Sequence, residues 1–262
     1  MENENIKLIF EKDIIPKIIF IVPYRDREIH LDIFKKQMVK VMEDYSNNDY
    51  QILYIHQCDQ RNFNRGGMKN IGFLFIKDKY PNNYKDITFV FNDVDTMPKR
   101  KNMIQYETTH RKIKHFYGYN YTLGGIVSIK GSDFEKLNGF PNYWAWGYED
   151  NALQQRAKYN NIFIDRSEFY KIYDSNIIHL NETKIRTVNK DEYKKYVNKI
   201  NDGINSIFNL KYEYLPNTNF VNVLKFDIPY LPNTSLDTKY DLTNGNTPFS
   251  SRNKPRMRML IN

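Results

Sequence analysis

Apolar residues in this chain fall into short unbroken runs that alternate with longer stretches where they recur every three or four positions. Residues 17–23 (KIIFIVP) are a continuous apolar run, the pattern of a strand covered on both faces, and it stops at a proline. Residues 30–43 place Leu31, Phe34, Met38 and Val41 at helical spacing, and residues 51–56 read as the next strand. Residues 67–79 form a second helix with Met68, Ile71, Leu74 and Phe75 on one side, and residues 87–91 a third strand. Strand, helix, strand, helix, strand in that order predicts parallel strands joined by crossover helices, an α/β fold with a Rossmann-like, mainly parallel sheet. Nucleotides are common ligands of such sheets, but the fold alone hosts many functions. Further on, Tyr193, Tyr196, Val197, Ile200, Ile204 and Ile207 predict a helix over 191–207. The chain reads as one domain over 1–230 and a turn-rich extension over 231–262, basic from Arg252 to Arg258 and expected to be mobile.

Composition narrows the partners. With 40% hydrophobic residues among 262, the chain has enough apolar surface to bury its own core. A net charge of +8 suits a phosphate-bearing ligand, but the basic residues are scattered, so no nucleic-acid partner is expected. Cys58 is the single cysteine, which excludes an intramolecular disulfide and a cysteine-based zinc site and fits a reducing compartment. The opening MENENIKLIFEKD lacks a basic start followed by an apolar run, and no stretch approaches the roughly 18 apolar residues of a membrane span. A soluble, cytoplasmic protein is the expectation, with no indication of oligomeric state.

In open parallel sheets, ligands bind beyond the carboxyl ends of the strands, which directs attention to three loops. The first strand is followed by Tyr24-Arg25-Asp26-Arg27, the second by a loop to Phe63-Asn64-Arg65, and the third by Asn92-Asp93-Val94-Asp95. Arg25, Arg27 and Arg65 suit a forked grip on a diphosphate, and Tyr24 or Phe63 a stack on a base; surface pairing of Arg25 and Arg27 with Asp26 or Glu28 is the alternative. Asp93 and Asp95 point the same way along an extended chain, and a divalent cation relieves their repulsion. A sugar hydroxyl held by one Asp, or a solvated acidic turn, also fits. The stretch 138–150 (NGFPNYWAWGYED) holds both tryptophans among Gly, Pro and Asn, directly before an acidic pair. Nothing in it reads as core; it reads as an aromatic flap ending in carboxylates, or as a surface loop pinned by two rings.

Taken in order, these motifs resemble the β-1,4-galactosyltransferase family. IVPYRDREIHL is similar to that family's IIPFRNRxxHL, FNRGGMKNIGF to its FNRAxLxNxGF, and FVFNDVD to its FVFxDVD; LGGIVSI and NGFPNYWAWGYED are similar to FGGVSxL and NGFxNxxWGWGGEDD, and the segment 201–207 to DGLNSL. The likeness spans about residues 17–230. It implies a GT-A type fold with a mobile aromatic flap and inverting transfer of a hexose from a UDP-sugar to a hydroxyl of a glycan or glycosylated acceptor. It also implies roles: Pro23, Tyr24, Arg25 and Arg27 at the uridine and ribose, Phe63 and Arg65 beside the nucleotide, and Asp93 and Val94 lining the UDP site. Asp95 and His179 would be metal ligands, Gly124 and Gly125 would let backbone approach the donor sugar, Trp146 would cover the donor, Glu149 would hold sugar hydroxyls, and Asp150 would be the catalytic base.

Departures from the family pattern bear on specificity. Asn176 stands where the animal enzymes have a methionine ligand, and its harder oxygen admits Mg²⁺ beside Mn²⁺. Thr122 replaces a tyrosine that borders the donor's two-position, leaving UDP-Gal, UDP-GalNAc, UDP-GlcNAc and UDP-Glc all open. Tyr148 replaces a glycine and is placed to stiffen the flap or stack on the acceptor, and Asn151 replaces the third acidic residue. Two other readings stand beside this one: a catalytically inactive nucleotide-sugar or glycan-binding protein, and a glycan polymerase of the chondroitin-synthase kind, which normally joins two transferase modules where this chain has room for one.

Overall fold

The computed structural model describes residues 14–180, 185–244 and 248–249. β1 (Ile18–Tyr24), α1 (Glu28–Val41), β2 (Tyr50–Gln57), α2 (Arg65–Lys79) and β3 (Thr88–Asn92) follow in the predicted order. After them come β4 (Thr96–Pro98), β5 (Lys112–Gly118), β6 (Ile126–Lys130), α3 (Gly131–Lys136), α4 (Glu149–Tyr159), β7 (Phe163–Asp165), β8 (Tyr170–Lys171) and β9 (Ile177–His179). The remaining elements are β10 (Ile185–Asn189), α5 (Lys190–Val197), β11 (Phe208–Leu215), β12 (Phe220–Asp227) and β13 (Asp237–Asp241).

Among the described residues the main sheet is ordered β11-β12-β2-β1-β3-β6-β5-β7, with β8 also on β5. Strands β12, β2, β1 and β3 are parallel, and β6 runs antiparallel to both β3 and β5. The unbroken apolar run of β1 is explained by two separate cores. Ile18, Phe20 and Val22 face Leu31, Phe34 and Met38 of α1, while Ile19 and Ile21 face Met68, Ile71 and Phe73 of α2. A strand alternating between two apolar layers has no position for a polar residue. Gly72 of α2 sits so close to β1 that a β-carbon there would meet Ile21 at 2.7 Å.

The stretch 138–150 departs from expectation because much of it is core. Phe140, Tyr143 and Trp144 are buried, and Phe140 packs on Phe91 and Phe134. A ladder of buried polar groups holds the backbone: Asn70 Nδ2 donates to Phe140 O (2.7 Å) and Asn142 Oδ1 (2.8 Å), and Asn64 Nδ2 donates to Asn142 O (3.1 Å). Asn142 in turn donates from its backbone and side chain to the two oxygens of Asp202 (2.9 and 2.7 Å). These groups satisfy one another, as buried amides and carboxylates must. The turn chemistry of the sequence is present, but the loop folds inward.

Two further expectations change. The helix predicted over 191–207 ends at Val197, where Lys199 enters the left-handed region (φ 52) and the chain leaves to place Asp202 under Asn142. The extension predicted from 231 contains β13, which pairs antiparallel with β10; Asp237 accepts from Asn62 Nδ2 and Asn189 Nδ2, each at 2.6 Å. Arg252 to Arg258 and the opening thirteen residues lie outside the described residues. No helix among those described is long and apolar enough to cross a membrane.

Candidate active site

The carboxyl ends of β1, β2 and β3 open onto one face, and the predicted loops meet there. Pro23 pairs with Ile55 within the sheet, and Tyr24 is buried edge-on against His56 and Phe220 (5.3 and 5.5 Å between centroids). Tyr24 is thus part of the wall, whereas Phe63 is only partly buried. The Arg25 guanidinium lies 5.2 Å from the centre of the Phe63 ring and donates to Arg61 O at 2.6 Å; burial lowers its pKa. Its contact with Asp26 is only a 3.9 Å ion pair, so surface pairing does not account for Arg25. Arg27 precedes the first turn of α1, where its carbonyl accepts from Leu31 N (2.8 Å).

Arg65 gathers three carboxylates. From the start of α2 it donates Nε to Glu149 Oε1 (2.8 Å), Nη1 to Asp93 Oδ2 (2.6 Å) and Nη2 to Asp150 Oδ2. Burial alone would pull this guanidinium down, but Asp150, Asp93 and Glu149 outweigh it and hold it well above its ordinary pKa. Burial likewise pushes Asp93 up, and Arg65 and Lys69 overcome it and keep the carboxyl below its usual range. The guanidinium fork therefore organises the carboxylates, with three of its five N–H donors turned to them.

Gly124 and Gly125 form the floor beneath this cluster. The space that Gly124 leaves is taken by the Asp150 carboxylate, and Leu123 N donates to Asp150 O (3.0 Å). Gly125 has φ 77, and a β-carbon there would meet Tyr117 O at 2.3 Å. The glycines thus admit the protein's own groups. Behind the floor, Arg166 donates Nε to His115 Nδ1 (3.0 Å) and Nη2 to Gln154 Oε1 of α4 (2.6 Å) and to Thr122 O (3.2 Å). His115 Nε2 then faces Tyr117 O and Gly124 O, each at 3.0 Å, and burial followed by Arg166 lowers the imidazole to about 4. Thr122 is buried, with its hydroxyl on Tyr119 O (3.3 Å).

Asp95 lies two residues beyond Asp93, beside buried Val94, and β4 carries it against β9. Thr96 is opposite His179, and Leu180 N donates to Asp95 O at 2.8 Å. Burial and then Asp93 raise the Asp95 carboxyl, while His179 opposes them. The Tyr117 hydroxyl lies 2.9 Å from His179 Nδ1, leaving Nε2 as the ring nitrogen for a ligand. A carboxylate crowded by a second carboxylate, with an oriented imidazole facing it, fits a divalent cation. Asn176, three positions before His179, donates its side-chain amide to Asp174 Oδ1 (3.0 Å), a bond that does not use its own oxygen. Among the described residues, no group of three or more His, Cys, Asp or Glu is assembled for a metal.

The two tryptophans have different lives. Trp144 is 3% exposed, stacked on Phe226 (5.0 Å), with the Arg61 guanidinium 4.3 Å from its ring centre. Trp146 is 37% exposed, and its backbone N–H donates to Thr187 O of β10 (2.8 Å). Tyr148, at φ 71, stacks on Tyr196 and touches Tyr193 of α5 (4.9 and 4.8 Å), and its hydroxyl donates to Pro248 O. It packs on protein and props the first turn of α4, where Glu149 and Asp150 sit.

Two residues at this site escape the motif reading. Lys69, one helical turn after Arg65, is buried among the carboxylates; a lysine on the apolar face of α2 was the available signal. Arg186 of β10 has its pKa lowered by burial, and among its charged neighbours Asp95 and Asp93 favour the cation while Arg27 and Arg65 oppose it. It is a basic group within electrostatic reach of Asp95 and Asp93, brought there by a strand from a distant part of the chain.

A family model described as the N-terminal region of glycosyl transferase group 7 matches residues 13–108, and one described as the N-terminal domain of galactosyltransferase matches residues 105–180. Beta-1,4-galactosyltransferase 4 of Mus musculus is 32% identical over 162 residues, covering 57% of this chain and 45% of the relative, so the chain spans under half of that protein's length. Beta-1,4-galactosyltransferase 7 of Drosophila melanogaster is 26% identical over 245 residues, covering 89% of this chain and 72% of the relative. A crystal structure of a mutant of the Drosophila enzyme, in complex with manganese, UDP-Gal and xylobiose, superposes with a TM-score of 0.61 at 18% identity. It covers 84% of this chain and 97% of that one, and the fold is of the same GT-A type.

Proposed function

This chain belongs to the β-1,4-galactosyltransferase family, and on that premise we propose that it is a metal-dependent inverting glycosyltransferase. It moves a hexose or N-acetylhexosamine (Gal, GalNAc, GlcNAc or Glc) from a UDP-sugar to a hydroxyl of a glycan or glycosylated acceptor. The observation that carries this reading is the convergence of Asp93, Glu149 and Asp150, from two distant loops, on the single guanidinium of Arg65.

Each group then has a task. Asp150 takes the proton of the acceptor hydroxyl as its oxygen bonds to the anomeric carbon from the face opposite the leaving group, and UDP departs with the electron pair of the broken C–O bond. Arg65 holds Asp150 in register with Asp93 until the acceptor arrives. Glu149, more deeply buried, holds sugar hydroxyls, and Trp146 covers the donor. Asp95 and His179 would hold Mn²⁺ or Mg²⁺, which when bound neutralises charge on the diphosphate. Arg25 and Arg186 are further basic groups that would favour the diphosphate, beside Arg65.

UDP release from a panel of UDP-sugars, with Mn²⁺ and with Mg²⁺, alone and with simple saccharide acceptors, tests the proposal. Metal-dependent release that an acceptor stimulates is expected. Binding of UDP-sugars without release would favour a nucleotide-sugar-binding protein on the same scaffold.

A further inference from the structure

The carboxylate cluster leaves two oxygens that Arg65 does not reach. Asp93 Oδ1 and Asp150 Oδ1 are both buried and accept no hydrogen bond. The Lys69 ammonium lies between them, 3.6 Å from the first and 3.5 Å from the second, on a side chain that is 1% exposed. It also lies 4.5 Å from the centre of the Phe140 ring, at the base of the tryptophan loop. Lys69 falls four residues after Arg65, so both cations rise from one face of α2. Its position is one that the FNRAxLxNxGF pattern leaves open.

A buried ammonium is a poor way to gain stability. Its desolvation offsets most of its attraction to the carboxylates, and an apolar residue of similar size often serves a fold as well. What a compact point charge supplies here is orientation. We propose that Lys69 is a positioning residue for Asp150, fixing Oδ1 on the interior side so that Oδ2, beside Gly124 and Arg65, is the oxygen presented to the acceptor hydroxyl. When the hydroxyl takes Arg65's place at Oδ2, Lys69 remains as the counter-charge on the other oxygen. The same ammonium touches Asp93 and so sets the spacing between the donor loop and the base.

This inference rests on the transferase reading, and the test separates the two. Wild-type protein that transfers no sugar from any UDP-sugar rejects the reading itself. Given wild-type transfer, Lys69→Met is expected to lower kcat by about 10²-fold, as misplacement of a reacting group does, with donor KM changed less than kcat. In an Asp150→Asn background the same substitution should cost less than about 3-fold, because the group it positions is already lost. Equal losses in both backgrounds, or no loss in either, would overturn the proposal. Lys69→Gln, which keeps a polar tip without charge, is the second variant and should follow Lys69→Met. Failure of both variants to fold would assign Lys69 a structural role and would also overturn it.

Discussion

Gly124 and Asp150 are in such close contact that a β-carbon on the glycine would lie 2.2 Å from Asp150 Oδ2. No side chain at position 124 is compatible with the carboxylate where it stands. Gly124→Ala should therefore displace Asp150 from Arg65 and lower kcat by about 10²-fold. Steady-state kinetics beside a thermal melt checks this; unchanged kcat in a well-folded variant would show that Asp150 is not required in this position.

Asp150 and Asp95 should fail in different ways. Asp150→Asn keeps the shape of the site and is expected to retain UDP-sugar binding while losing about 10²–10⁴-fold in transfer. Asp95→Asn should weaken metal and donor binding together, since it removes the carboxylate that faces His179. Calorimetric titration of metal and UDP-sugar into each variant separates the two; transfer by Asp150→Asn at the wild-type rate would refute the assignment of the base.

Trp144 and Trp146 should divide stability from activity. Trp144→Ala removes a buried ring stacked on Phe226 and is expected to cost about 3–5 kcal/mol. Trp146→Ala, at an exposed position, should change stability by less than about 0.5 kcal/mol while reducing turnover. Urea unfolding and turnover of the pair measure both; a large stability loss at Trp146 would recast it as a structural plug.

Glu192 of α5 should make stability depend on pH. Burial, opposed by Lys195, raises its carboxyl to about 7, with Asp202 adding to the rise and the Trp144 backbone N–H opposing it. Oε1 accepts from Lys195 Nζ (2.8 Å), and Oε2 is buried without a hydrogen bond. The folded protein keeps this proton to higher pH than the unfolded chain does. Its contribution is thus full below about 4.5 and falls by about 3 kcal/mol as pH rises through about 7. Glu192→Gln should remove that slope from denaturation curves taken between pH 5 and 8; an unchanged slope would place its origin elsewhere.

How much the sequence discloses depends on how local the cause is. The β1-to-β3 order follows from apolar spacing, because burial on one strand or helix face is written in neighbouring residues. The acidic residues at strand and helix starts were legible for the same reason. Trp144 and Trp146 are the opposite case: two residues apart, they differ because Phe226 and Arg61 pack on Trp144, and no local pattern brings those residues to mind. The carboxylate partners of Arg65 are not legible in sequence, because the segments carrying Asp93 and Asp150 converge on it only in three dimensions. The end of α5 was misplaced because Ile204 continues the apolar period, whereas Lys199 turns the chain so that Asp202 can bond Asn142.

The alternation of β1 between two cores has a consequence for how this enzyme can change. One layer runs through Tyr24, Val94, Tyr117 and Ile177; the other runs through Phe140, Trp144 and Leu153, with Phe63 packed against it. Repacking one layer need not pass through the other, because the sheet itself is the partition between them. Substitutions in one layer can thus accumulate without forcing changes in the other.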